Sequence, residues 1–268
     1  MPPKQITLQA LEQLRRTSPK RRRFSDNPTV CKLDDGTCSV SFVFSSVNRL
    51  FRRDTQIRTV DGRYSHYLRL SDPKVISVAL KWHDRHRRFI FLRDLLDFSV
   101  ALDFNFAKRR VYTELGLAEY NAKSVRHGPS IEALVRACVR AITDISLYRE
   151  SDAICAVPPS PEKEWDLPTQ IAQLVSARIG KPDLSPLVQF REIKKSITAT
   201  PLAEKWNALD AAGLTIDQRI GGNKLILIDD KYQSGTTAHF VASKLYEAGA
   251  VEVNGLFCIK TWRDTDNQ

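Results

Sequence analysis

Four consecutive apolar residues, Leu225, Ile226, Leu227 and Ile228, run directly into two acids, Asp229 and Asp230, and then into a short loop, Lys231 to Thr237. A bounded apolar run of this length reads as a strand buried on both faces, and such strands belong to parallel sheets covered by helices. Ligands of open α/β sheets bind beyond the carboxyl ends of the strands, so the two acids are expected to face one. The loop carries Ser234, Gly235, Thr236 and Thr237 ahead of a helical pattern from Thr237 to Ala248 that Gly249 closes. Backbone N–H groups in such a loop can wrap an anion at a helix N-terminus, where the dipole adds stabilisation. A phosphate held directly against two carboxylates would be repelled. The acids therefore suit the hydroxyls of a sugar, and the loop, through Ser234, Thr236, Thr237 and the Gly235 backbone, suits a phosphate. The plainer reading of these residues is a pair of turn-forming acids followed by an ordinary helix cap.

The chain around this motif predicts an α/β arrangement. Ala153 to Val157 reads as a buried strand, Pro158 to Trp165 as a loop, and Leu167 to Ile179 as a helix ended by Gly180. Val251 to Ile259 is a third strand. Upstream, Gly128-Pro129 precedes an amphipathic helix with Ile131, Leu134, Val135, Cys138, Val139, Ala141 and Ile142 on one side. Phe190 to Asp210 reads as a basic, mobile stretch. Residues 29–110 have a different character. Val30 to Leu33, Ser39 to Phe44, Ile57 to Val60 and Tyr64 to Leu70, with turn signals at Asp35-Gly36 and Asp61-Gly62, predict two β-hairpins. Asp72-Pro73 opens a helix, and Phe89 to Phe106 is too densely apolar to show one face. Residues 1–28, with Lys4, Arg15, Arg16, Lys20, Arg21, Arg22 and Arg23, have little to bury, although Ile6 to Leu14 suits a short helix.

Several families place acids after an apolar strand. A Walker B strand requires a G-x-x-x-x-G-K-[ST] loop upstream, which this sequence lacks. A receiver domain expects about a hundred residues after its acidic pair, more than follow it here. A dehalogenase-type phosphatase wants its second acid two positions after the first, where Lys231 stands. The segment resembles the signature of type I phosphoribosyltransferases: apolar strand, two acids, short linker, then Ser or Thr, Gly, any residue and Thr. The order of elements over about residues 130–260 is most similar to the ComF-like branch. The resemblance implies a parallel-sheet phosphoribosyltransferase-like domain over 111–268, preceded by an α+β region over 29–110 and a basic segment over 1–28.

What the resemblance implies is carried over residue by residue. Asp229 and Asp230 would hold the ribose diol, and Ser234, Gly235, Thr236 and Thr237 the 5′-phosphate. Pro159, Ser160 and Lys163 would lie in the turn near pyrophosphate. Mg²⁺ would be held through diphosphate and ribose oxygens, with no direct protein ligand. A nitrogen base would displace pyrophosphate at the anomeric carbon while a mobile loop excludes water. Lys194 and Lys195, with Arg191, are the catalytic candidates in that loop, as the acid pair is at the ribose; the alternative for both lysines is a solvated charge run. Trp262 is a candidate for stacking on a base. Two departures accompany the resemblance. ComF-like chains carry arginines in the pyrophosphate turn, where Pro158, Pro159, Pro161, Glu162 and Glu164 surround the single cation Lys163, and the paired CxxC finger of that branch is missing. Weaker diphosphate binding is expected.

Forty-one basic against 31 acidic side chains give a formal charge of +10, which suits phosphoribosyl pyrophosphate, a nucleotide or nucleic acid. Two functions from different classes fit: a phosphoribosyltransferase, or a non-catalytic nucleotide sensor or effector whose basic N-terminal region contacts nucleic acid or a protein partner. No apolar run reaches the length of a membrane span and the odd set of five cysteines suggests no disulfide framework, so a cytoplasmic protein is the expectation. A mixed zinc site from Cys31, Cys38, His83 and His86 has atypical spacing. Trp82, Arg85, Arg87, Arg88 and Phe89 interleave rings and cations as nucleic-acid contacts do, but a solvated helix face beside a core stripe is the more frequent outcome.

Overall fold

From the amino end, helix α1 (Leu8–Thr17) and the short strand β1 (Phe24–Ser25) precede a four-stranded antiparallel sheet. The computed structural model describes residues 4–17, 24–25, 28–63, 65–108, 110–193 and 200–262. Strands β2 (Thr29–Lys32) and β3 (Cys38–Phe42) form a hairpin over Asp35 and Gly36, as the turn signal predicts. A helix, α2 (Ser45–Thr55), then intervenes before the second hairpin, β4 (Val60–Asp61) with β5 (His66–Leu70). Both expected hairpins form; what the sequence did not indicate is that α2 lies between them and that β5 pairs with β3. The buried face of α2 is Val47, Asn48, Leu50 and Phe51, and its N-cap, Phe44, supplies no side-chain cap, so the usual N-cap signal is absent from the sequence. Helix α3 (Pro73–His86) begins as predicted, with the Asp72 carboxylate accepting from the Lys74 N–H at 2.7 Å.

The dense apolar stretch after α3 resolves into β6 (Ile90–Leu92), β7 (Phe98–Phe104) and β8 (Phe106–Lys108), followed by β9 (Val111–Tyr112). Helices α4 (Glu114–Val125), α5 (Gly128–Asp144) and α6 (Ser146–Arg149) lead to β10 (Ala153–Ala156), α7 (Leu167–Ile179) and β11 (Val188–Phe190). The remaining elements are α8 (Leu202–Ala211), β12 (Leu214–Ile216), β13 (Lys224–Tyr232), α9 (Thr236–Glu247) and β14 (Glu252–Lys260). The stretch expected to be mobile between Phe190 and Asp210 therefore contains the end of β11 and most of α8; residues 194–199 lie outside the described residues.

The central sheet has the order β1-β6-β7-β14-β13-β10, with β7, β14, β13 and β10 mutually parallel and the β1 and β6 edge antiparallel. The chain is thus a mixed α/β protein with a mostly parallel central sheet. Strands from both sides of residue 110 share that sheet. Because the side chains of a strand alternate, Ile226 and Ile228 enter one apolar cluster with Leu134 of α5 and Ile171 of α7, while Leu225 and Leu227 enter a second with Val241 and Leu245 of α9. Phe42, Phe51 and Trp82 of the N-terminal part belong to the first cluster too, so one core spans both parts. Among the described residues no helix is long and apolar enough to cross a membrane.

Candidate functional site

Strand β13 does not end at Ile228. Pairing of Asp229 with Phe257 and of Lys231 with Ile259 on β14 carries it through the acids to Tyr232. Alternation along the strand turns Asp230 to the side of Ile226 and Ile228, where α4 lies, and Asp229 to the opposite side. Asp230 is buried and bonded to the Lys123 ammonium of α4; Asp229 accepts from the Asp230 N–H at 2.9 Å. Burial alone would lower the pKa of Lys123, but the adjoining Asp230 and, further off, Glu119 and Asp229 raise it instead, so the ammonium stays charged. Glu119, one turn earlier on α4 and only 3 % exposed, has its pKa raised by burial against the opposing pull of Lys231, 3.1 Å away. Acids and lysines thus alternate across the mouth of the sheet.

Helix α4 approaches this closely because of Gly116. A Cβ there would lie 2.2 Å from the Asn105 carbonyl oxygen, so only glycine lets the first turn of α4 rest on the chain leaving β7. The Thr113 hydroxyl fixes that turn by accepting from the Gly116 N–H at 2.9 Å and donating to the Phe104 carbonyl at 2.5 Å.

The loop after β13 turns sharply at Gly235, whose φ of +71° places it in the left-handed region at the N-cap of α9. The ring of Tyr232 packs beneath it, and Tyr232 in turn meets Phe257 edge-on at 4.7 Å. Gly235 contributes no side-chain cap, and the Thr236 N–H that opens α9 donates to Ser234 Oγ at 3.5 Å. Thr236 is buried, and its hydroxyl meets Ser234 Oγ at 3.0 Å. Arg15, from α1, donates to both the Ser234 carbonyl and the Thr236 hydroxyl at 3.0 Å, adding a cation that the basic N-terminal segment did not single out.

One turn into α9, His239 holds the loop from behind. Its Nε2 accepts from the Leu95 N–H at 3.1 Å, which leaves Nδ1–H to donate to the Gly235 carbonyl at 2.6 Å. The ring is therefore neutral, and burial, reinforced by Arg15 and Lys4 against the bond to Gly235, lowers its pKa from 6.5 to about 4. A histidine depressed in the folded state contributes stability that is complete above the unfolded value and lost as pH falls toward 4. Replacing His239 by Leu should flatten the fall in unfolding free energy between pH 6.5 and 4.5 by up to about 1.4 kcal/mol per pH unit. Urea titrations of both proteins across that window measure it; parallel pH profiles would contradict it.

Asp229, Asp230, Thr237, Lys123, Arg126, Pro159 and Lys163 all line one open cavity of about 740 Å³. A smaller adjoining space of about 230 Å³ is bounded by the same acids, by Ser234 to Thr237 and by Lys205 of α8. The structure thus brings together the acid pair, the loop before α9 and the turn after β10. Ser160 is buried and its hydroxyl is bonded to Glu162, so it supports the turn from within. Trp262 lines neither cavity: it stacks on Phe104 at 4.3 Å, and its Nε1–H donates to the Phe106 carbonyl. A different tryptophan, Trp165, stands in the larger cavity, with the Arg126 guanidinium 5.0 Å from its ring centroid. Arg191 is tied to β12, donating through Nε to the Thr215 hydroxyl at 2.8 Å, while Lys194 and Lys195 lie outside the described residues.

Lys123, Arg126, Glu119 and Lys205 were not picked out in the sequence. The one signal available for the first three was Thr113 with Gly116, a helix N-cap ahead of them. Among the described residues no group of three or more His, Cys, Asp or Glu comes together as a metal site would need. His86, in the imagined zinc site, is instead buried and stacked on Trp82 at 4.6 Å.

No protein-family model and no curated protein matches the chain. Among solved structures it is similar to glutamine phosphoribosylpyrophosphate (PRPP) amidotransferase from B. subtilis, complexed with ADP and GMP, at 13 % sequence identity and a TM-score of 0.38. The match covers 87 % of this chain and 64 % of that one, so the chain spans less than two thirds of its length.

Proposed function

We propose that this cavity binds the ribose 5-phosphate part of phosphoribosyl pyrophosphate or of a nucleotide, and that the protein transfers or releases the phosphoribosyl group as type I phosphoribosyltransferases do. The observation that carries the reading is the sharing of one cavity by Asp229, Asp230 and Thr237 with Lys123, Arg126 and Lys163. Carboxylates accept from the ribose hydroxyls, while backbone amides at the start of α9 and the Thr237 hydroxyl donate to the 5′-phosphate. The turn after β10 is poor in cations, and Lys123 of α4 and Arg126, the residue that caps it, supply the positive charge that a diphosphate needs.

In transfer, the bond between the anomeric carbon and the pyrophosphate oxygen breaks as the acceptor nitrogen attacks. Negative charge grows on the leaving diphosphate, facing Lys123, Arg126 and Lys163, so these cations stabilise the transition state more than the ground state. Asp229 and Asp230 hold the sugar in place and favour positive charge building on the ring. Asp229 and Asp230 line the cavity, and Mg²⁺ bound there with the ligand would neutralise diphosphate charge. Trp165, with Arg126 across its ring, is an aromatic surface in the same cavity on which a base would stack.

Incubation with Mg²⁺, phosphoribosyl pyrophosphate and a panel of purine and pyrimidine bases tests the reaction. Release of pyrophosphate with one base establishes a transferase, and release without a base a hydrolase-like variant. Binding without release assigns the sensor or effector reading instead, and no binding overturns the site. Lys123→Gln should weaken phosphoribosyl pyrophosphate by about 10- to 100-fold, the worth of a charged hydrogen bond, and ribose 5-phosphate much less. Equal losses for the two ligands would remove Lys123 from the diphosphate.

A further inference from the structure

On the far side of the N-terminal sheet, three residues from separate elements meet in an order that bears on chemistry. Asp61 and His66 face each other across the β4–β5 pair, and Ser45 is the first residue of α2. His66 Nδ1 lies 2.6 Å from an Asp61 carboxylate oxygen, and His66 Nε2 lies 3.0 Å from Ser45 Oγ. An ionised carboxylate can only accept, so Nδ1 carries the ring proton, and Nε2 is left with the lone pair that accepts from the Ser45 hydroxyl. A nucleophile, a base and a group orienting that base are thereby connected in series.

Two further features bear on what the serine would attack. All three residues line a cavity of about 290 Å³ together with Asn48, Arg49 and Arg52. Asn48 is 4 % exposed, and its Oδ1 accepts from the Thr59 hydroxyl at 2.7 Å, which orients the amide. Its Nδ2 donor has no partner among the described residues, although the side chain borders the cavity. The uncapped first turn of α2 adds backbone N–H groups beside Ser45. A buried amide donor and a helix N-terminus next to a nucleophile are what stabilises an oxyanion. The rim holds Arg49, which pairs with Glu252 at 3.0 Å, and the exposed Arg52, the cation left to meet an anionic group.

We infer that Ser45, His66 and Asp61 form a second, nucleophilic site that hydrolyses small esters bearing a negative charge on the acyl side. Ser45 Oγ attacks the ester carbonyl carbon while its proton passes to His66 Nε2; the carbon–oxygen bond to the leaving group then breaks, and the alkoxide takes that proton. Water, deprotonated by His66, next cleaves the Ser45 ester, returning the serine hydroxyl and releasing a carboxylate. No electrons are transferred. The Asp61 side chain is largely in solvent, so it orients the ring more than it strengthens the base. Its loss should therefore cost less than loss of His66.

The experiment uses the full chain with a fluorophosphonate probe, peptide mapping, and two substrates: mono(4-nitrophenyl) succinate and neutral 4-nitrophenyl butyrate. The expected adduct is on Ser45, with the succinate ester hydrolysed faster. Ser45→Ala should remove adduct and turnover, and His66→Gln should slow turnover about 10²- to 10⁴-fold. Asp61→Asn should slow it less, and Arg52→Gln should raise KM for the succinate ester alone. An unlabelled Ser45 in the native protein, or undiminished hydrolysis by folded Ser45→Ala, overturns the inference; the labelling result decides by itself should the variant not fold.

Discussion

Replacing Asp229 and Asp230 together by Asn is expected to weaken phosphoribosyl pyrophosphate binding by about 10²- to 10⁴-fold in calorimetry. In the proposed binding mode each carboxylate would accept from a ribose hydroxyl, and a hydrogen bond to a charged group is worth about 1.5–3 kcal/mol. Asparagine preserves shape and leaves β13 paired to β14, so the fold should persist. The single variants should differ. Asp230 is buried beneath α4 and bonded to Lys123, so Asp230→Asn also removes the partner of a cation and should lower stability as well as affinity. Asp229→Asn should act on affinity alone. A double variant that binds as tightly as the native protein would remove the acid pair from the site.

A comparable loss is expected from a single methyl group at Gly235. Its φ of +71° is costly for alanine by about 1–2 kcal/mol. The larger obstacle is steric: a Cβ would lie 2.5 Å from the Tyr232 ring, which Phe257 backs. Gly235→Ala should therefore lower the unfolding free energy and, by lifting the loop from Tyr232, dismantle the proposed phosphate cradle. Gly235→Asn separates the two causes. Asparagine tolerates the left-handed conformation well, so it would rescue the loop if dihedral strain were the sole cost. It should fail to do so, because its Cβ meets the same ring. Melting curves and ribose 5-phosphate binding of both variants check this; recovery of binding in Gly235→Asn would contradict the steric explanation.

The motif was legible because its signals are local. An apolar tetrapeptide, two acids, a glycine and a helix pattern follow one another, and β13, α9 and β14 form where those signals fall. Helices α5 and α7 were legible for the same reason, the first through an apolar face that buries Leu134, Val135, Cys138, Ala141 and Ile142, the second through the cap at Gly180. The extension of β13 through Asp229 to Tyr232 was not, since acids and lysine are poor strand formers and it is the pairing with β14 that imposes the strand.

Helix α4 was hidden by its own composition. It buries Gly116, Ala118, Glu119 and Ala122 and exposes Leu117 and Tyr120, so hydrophobic periodicity points away from the face that packs. That face brings Lys123 and Glu119 to the acid pair, which is why the cations of the site went unnoticed. The place of β7 was hidden by distance. Its partner β14 lies some 150 residues later, and a strand buried on both faces shows no alternation to announce itself. The triad of Ser45, Asp61 and His66 is likewise a product of tertiary structure, because α2 carries no cap signal and brings its first residue to a hairpin that the sequence alone leaves unattached.

Amide resonances of Gly235, Thr236 and Thr237 in isotopically labelled protein, followed during titration with ribose 5-phosphate, test the assignment of the phosphate to this loop most directly. The three are expected to shift together and saturate with one dissociation constant, which Asp229→Asn weakens. Saturable binding of the ligand with these three resonances unmoved would place the phosphate elsewhere and contradict the site.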